Sequence, residues 1–169
     1  MLQQFDRWLL WCNRAAVISL LAAMACMVFA NVVLRYASGS SIIWVEEASR
    51  YVMIWLTFIG CGLVLRYGGH LGIDTLQERL PRRAAVVRGV IFALLLAFFA
   101  VMLWLGIVYS ARTWQQTTPV MQIPVGFVYL AMPIGFALMI VHLLLMGSAY
   151  IRANEFMRDA EFDADAAKL

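Results

Sequence analysis

Charge is scarce in this chain. Of 169 residues only 14% are Asp, Glu, Lys or Arg, 64% are hydrophobic, and the mean hydropathy is +0.82. Soluble domains are about half apolar and about a quarter charged. Too little charge is present to coat a water-facing globule, which leaves an integral membrane protein. Cysteine is sparse as well. Cys12, Cys26 and Cys61 form no CxxC pair and two of them lie inside apolar runs, which excludes a disulfide framework or a thiol relay in the loops. The only histidines are His70 and His142, and His70 lies in a connection, so no two histidines face each other as haem ligands. No Ser-His-Asp set, metal-ligand cluster or phosphate-binding glycine loop occurs. The chain is therefore expected to hold no cofactor and to be no enzyme. Net charge is +3, but the arginines are scattered at the ends of apolar runs rather than gathered on one patch, which argues against nucleic acid.

Long apolar runs are abundant. A helix crossing the hydrocarbon layer needs roughly 20 apolar residues, and four runs qualify: 15–35, 45–65, 86–109 and 125–149. A closed barrel would show short alternating segments instead. The first run is longer than a signal-peptide core and no A-x-A site follows it, so it reads as a retained span. Ten basic residues fall on one side: Arg7, Arg14, Arg66, Arg79, Arg82, Arg83, Arg88, Arg152, Arg158 and Lys168. Arg35, Arg50 and Arg112 fall on the other. The positive-inside rule places both termini in the cytoplasm. No connection approaches the roughly 50 residues that a separate domain needs. The chain is read as one all-α domain, 1–169, of four transmembrane helices, ending in an acidic tail over about 153–169.

Short amphipathic stretches flank the spans. Phe5, Trp8, Leu9 and Cys12 share one helical face ahead of the first span, which reads as an interfacial lead-in. In the second connection Ile73, Leu76 and Leu80 share a face, Thr75-x-x-Glu78 has the form of a capping box and Pro81 ends the segment. An interfacial helix over about 72–80 follows, with Arg82 and Arg83 toward phospholipid head groups. His70 stands four residues before Asp74, within reach of a local hydrogen bond. Trp8, Trp44, Tyr51 and Trp114 are the aromatic anchors expected at the membrane surfaces.

The stretch WVEEASRY, Trp44 to Tyr51, places two carboxylates and an arginine at the head of the second span. Glu46 and Arg50 are four apart and Glu47 and Arg50 three apart, so all three can meet on a helix. They read as a polar knot that docks a partner or orders the helix start. Gly60, Gly106 and Gly135 are candidates for close helix packing, and Pro133 for a kink in the fourth span. His142 is the only titratable group well inside a span, expected neutral and hydrogen-bonded.

The run WVEEASRYVMIWLTFIGCGLVLRYGGHLGIDTL resembles the signature region of the small membrane subunit, DctQ type, of tripartite ATP-independent periplasmic (TRAP) transporters. Trp44, the Glu46–Glu47 pair, Arg50, Tyr51, Trp55, Gly60 and the segment from Arg66 through His70 to Asp74 carry the likeness. IPVGFVYLAMPIGFALM, Ile123 to Met139, is a second match through Pro124, Tyr129, Pro133 and Gly135. The resemblance implies a small permease subunit of the inner membrane that scaffolds a large transport subunit. That partner is expected on a separate chain, since this one ends after four spans. A periplasmic solute-binding protein would deliver an organic acid, and an ion gradient, usually sodium, would drive uptake. The other reading of the residues is a small self-assembling channel or exporter, which would need polar pore-lining residues on several helices.

Overall fold

The computed structural model describes residues 2–67 and 84–153. Among these residues five helices follow in order: α1 (Leu2–Ser38), α2 (Ile43–Arg66), α3 (Ala84–Arg112), α4 (Val125–Tyr129) and α5 (Ala131–Ala153). Four helical stretches are long and apolar enough to cross a membrane: Gln4–Ser38, Ile43–Arg66, Ala85–Arg112 and Val125–Gly147. The expected interfacial helix over 72–80, with His70, Asp74, Arg82 and Arg83, lies outside the described residues, as does the tail from 154 onward.

The amphipathic lead-in is no separate helix. α1 is continuous over 37 residues, roughly 55 Å at 1.5 Å per residue, well beyond a hydrocarbon layer of about 30 Å. The face it turns inward also differs from the apolar one. Leu10 and Asn13 are buried and Asp6 half-buried, while Phe5 and Trp8 are exposed. α1 ends where Gly39 takes φ 68°, the left-handed conformation that glycine supplies after a helix. Asn31, buried on α1, then accepts the backbone N–H of Ile42 at 2.7 Å through its Oδ1, and this fixes the turn into α2.

α4 and α5 are one span broken at Leu130. Pro133 has no N–H to give the carbonyl of Tyr129, four residues back, and the helix parts there. The N–H of Leu130 still reaches the Gly126 carbonyl and that of Ile134 reaches Leu130, so the break is a local offset.

The helices form a row rather than a closed bundle. α1 packs on α2, α2 on α5, and α5 on α3, with α4 also against α3. The main apolar core lies between α2, α5 and α3, where Leu65, Phe99, Phe136, Met139, Leu143 and Met146 are buried together. The α4–α5 span, flanked on both sides, buries 44% of its apolar window, whereas α1 at the edge buries 6%. Glycines allow the closest approaches. A Cβ on Gly135 would stand 2.7 Å from the backbone oxygen of Phe58 on α2, and one on Gly106 would stand 3.0 Å from the Pro133 ring. Gly60, read from the sequence as a packing glycine, faces open space, with nothing within 4 Å of its Cβ position. The close glycine of α2 is Gly62.

Candidate functional site: two buried polar clusters

Glu47 lies in the second turn of α2, and only 2% of its surface is exposed. Its Oε2 accepts the backbone N–H groups of Val120 and Met121, at 2.9 and 3.0 Å. Its Oε1 accepts the Tyr51 hydroxyl one turn on. The connection from α3 to α4 is folded to make this possible. Thr118 N–H donates to the Ile123 carbonyl at 2.9 Å and Val125 N–H to Gln116 at 2.8 Å, a short antiparallel pairing around Thr117 and Pro124. Ile123 N–H also donates to the hydroxyl of Thr118, which is buried. Gln122 turns the tip with φ 56°, a conformation unfavourable for a residue with a Cβ. Two successive N–H groups then converge on one carboxylate oxygen, a small anion-binding concavity. Left without donors, a carboxylate withdrawn from water would be strongly unfavourable. Here donors come from another connection and from its own helix.

This changes the expected knot. Glu46, Glu47 and Arg50 do not converge. Glu47 turns toward the connection, while Glu46 and Arg50 are exposed and make no hydrogen bond or ion pair among the described residues. Adjacent helical positions point about 100° apart, so neighbouring carboxylates take different surroundings. Tyr51, expected as a surface anchor, is half-buried and bound to Glu47. Trp8, Trp44 and Trp114 are exposed.

A second cluster lies near the other end of α2 and joins α1, α2 and α5. Arg66 is 4% exposed. Its guanidinium grips Asp6 with two nitrogens, one of them 3.1 Å from Oδ2. Its Nε donates to His142 Nδ1 at 3.1 Å. Arginine has no acceptor, so Nδ1 carries a lone pair and the ring, neutral, holds its proton on Nε2. The amide of Asn13 lies 3.1 Å from that Nε2. The structure places the amide nitrogen there; turning the amide over puts its oxygen, which has no donor in the present orientation, against the ring proton. Gly62 makes the meeting possible, since a Cβ there would stand 2.8 Å from the His142 ring and 3.3 Å from the Asn13 amide. From sequence, Arg66 belonged to the second connection and Asp6 and Asn13 to the lead-in. The signal present was two polar residues, Asp6 and Asn13, seven apart on one face of α1.

Among the described residues no three His, Cys, Asp or Glu side chains converge as metal ligands. Both clusters are sets of hydrogen bonds that tie distant segments together. An apolar cavity of about 330 Å³ lies beside the Glu47 cluster, lined by Leu20, Tyr51, Val52, Trp55, Phe127 and Val128 among others.

The family described as tripartite ATP-independent periplasmic transporters, DctQ component, matches residues 24–149. The chain belongs to the DctQ family. It is a multi-pass protein of the bacterial inner membrane, the small membrane subunit of a TRAP transporter. It is 27% identical over 143 residues to the isethionate TRAP transporter permease protein DctMQ of Oleidesulfovibrio alaskensis, covering 83% of this chain and 22% of that one. It is 47% identical over 64 residues to a putative TRAP transporter small permease protein of Haemophilus influenzae, covering 38% and 40%. It is 30% identical over 116 residues to the ectoine TRAP transporter small permease protein TeaB of Halomonas elongata, covering 67% and 60%. The chain thus spans less than two thirds of the length of each of these relatives.

Proposed function

We propose that this DctQ-type subunit braces a large membrane subunit, itself a separate chain, without catalysing a reaction or enclosing a path of its own. The arrangement in a row carries this reading. Among the described residues the four spans lie side by side around no lumen, and the charged side chains they bury, Glu47 and Arg66, are held by hydrogen bonds within the chain. A row also leaves two broad faces for a neighbour and for phospholipid. On this reading Trp44 and the α3–α4 connection face the periplasm and both termini face the cytoplasm, in keeping with the placement of arginines. A periplasmic binding protein delivers an organic acid to the assembled pair, and an ion gradient, sodium in the resemblance noted above, drives uptake.

The relatives support placing solute recognition elsewhere. Proteins named for isethionate, ectoine and C4-dicarboxylates match at 27%, 30% and 28% identity, so chains of this kind accompany chemically different solutes at similar divergence. That 83% of this chain aligns within 22% of a longer permease protein supports a lasting association with a larger membrane part.

The test is uptake into vesicles. Vesicles holding the large subunit and this chain, supplied with loaded binding protein and an inward sodium gradient, should accumulate solute. Omission of this chain should abolish accumulation. Solute flux through vesicles holding this chain alone would overturn the reading.

A further inference from the structure

Resting on that reading, we infer that the large subunit docks a transmembrane helix along one face of α2, marked by Glu46, Arg50, Met53, Thr57, Gly60 and Val64. The helix it receives carries a basic residue level with Glu46 and an acidic one level with Arg50.

These six positions are spaced three and four apart, so they share one helical face. All but Gly60 are exposed, and in front of Gly60 nothing stands within 4 Å of a Cβ. Glu47, one position on from Glu46, turns about 100° away to hold the connection, so the described residues leave this face uncovered. Thr57 is already satisfied, its hydroxyl donating to the Met53 carbonyl at 2.8 Å. The face therefore offers a flat groove at Thr57 and Gly60 where a helix can approach closely, with charge at its upper end.

The other exposed faces are of a different kind. From 15 to 34 on α1 and from 89 to 111 on α3 no charged residue occurs. What these helices expose includes Leu21, Val28 and Phe29 on α1 and Leu94, Phe98 and Val101 on α3, surfaces suited to acyl chains. Arg50 stands seven positions into α2, about 10 Å below its start. Charges at such depth are unfavourable against lipid and ordinarily face protein. Glu46 and Arg50, four apart on one helix, could pair with each other, yet neither has a hydrogen bond or ion pair among the described residues. Opposite charges one turn apart call for the reversed order on the facing helix, and such charge matching selects one partner and one register.

The experiment uses the full chain co-expressed with the large subunit, carrying a photo-crosslinking amino acid at one position. Thr57 and Val64 sample the face, and Phe29 and Leu94 are the controls. Adducts with the large subunit from Thr57 and Val64 alone are expected. Adducts with the large subunit only from Phe29 or Leu94 would overturn the face and leave the subunit reading standing. An adduct between two copies of this chain from Thr57 or Val64 would make the occupant a second copy and overturn the inference. No protein adduct from any position would sink both readings.

Charge substitutions read the upper end. Glu46→Lys and Arg50→Glu, each at normal chain level in the membrane, should cut recovery of the large subunit on affinity purification roughly tenfold or more. The exchange Glu46→Arg with Arg50→Glu should fail as well, because the partner's charges stay in place. Restored recovery of the large subunit by the exchanged chain would show that Glu46 and Arg50 act on each other rather than on the partner, and would refute the charge matching. Unchanged recovery in both single variants would refute the charge matching.

Discussion

The Glu47 carboxylate accepts the backbone N–H of Val120 at 2.9 Å across 73 positions of sequence. This contact and its neighbour to Met121 hold the α3–α4 connection on the head of α2. Without it the pairing of Thr117 with Pro124 would persist, but the tip would lose its attachment to α2.

Glu47→Ala should therefore free the tip while leaving the helices in place. Amide hydrogen exchange at Val120 and Met121 should accelerate roughly tenfold or more, since the opened state no longer loses these hydrogen bonds. Glu46→Ala should leave both amides unchanged. Equal protection in the two variants would show that the carboxylate does not hold the connection.

The Arg66 cluster makes a prediction about stability. Breaking a fully buried ion pair costs about 3–5 kcal/mol; Asp6 is half-buried and Arg66 keeps its bond to His142, so less is expected here. Asp6→Ala and Arg66→Ala should each lower the stability of the detergent-solubilised protein by a sizeable part of that. A double-mutant cycle should return a coupling of about 0.5–3 kcal/mol. Asn13→Leu removes the acceptor that faces the His142 ring proton and should cost about 1–3 kcal/mol. Additive effects of Asp6→Ala and Arg66→Ala would show that the pair does not act as one unit.

Three glycines separate packing from exposure. Gly135→Ala places a methyl group against the Phe58 backbone, and Gly62→Ala places one against the His142 ring. Overpacking of this kind typically costs about 1–3 kcal/mol. Gly60→Ala meets open space within the subunit and should leave the isolated chain as stable or slightly more so, given alanine's better helix propensity. Thermal unfolding of the three variants, each purified alone, gives the order. A Gly60 variant as unstable as the Gly135 variant would contradict the packing described.

Asn31 supplies the last prediction. Asn31→Val keeps the volume of α1 but leaves the Ile42 N–H without its acceptor, a loss of about 1–3 kcal/mol if the N–H stays dry. Exchange of the Ile42 amide should quicken before that of amides deeper in α2. Unaltered exchange there would mean that the turn is held by Gly39 and the serines around it.

Legibility in the sequence followed the range of the interaction. The spans were readable because each depends on about twenty consecutive residues against one solvent. The second was expected over 45–65 and found over Ile43–Arg66. The break before Pro133 was readable because a missing N–H acts four residues away. The partners of Glu47 were not, since helical spacing offered Arg50 and gave no sign that a connection 73 positions on would turn its amides inward. Nor was the engagement of Arg66 with Asp6 and His142, at separations of 60 and 76 positions.

By itself the sequence determined the membrane as solvent, the number of long apolar helices and the family, because hydrophobic length and local motif act along the chain without reference to distant partners. The tertiary structure alone decided that the helices stand in a row, that Glu47 turns inward while Glu46 and Arg50 face out, and that three helices share one arginine. These outcomes depend on which faces meet, and an apolar helix looks much the same on every side until a glycine, an asparagine or a carboxylate finds its counterpart.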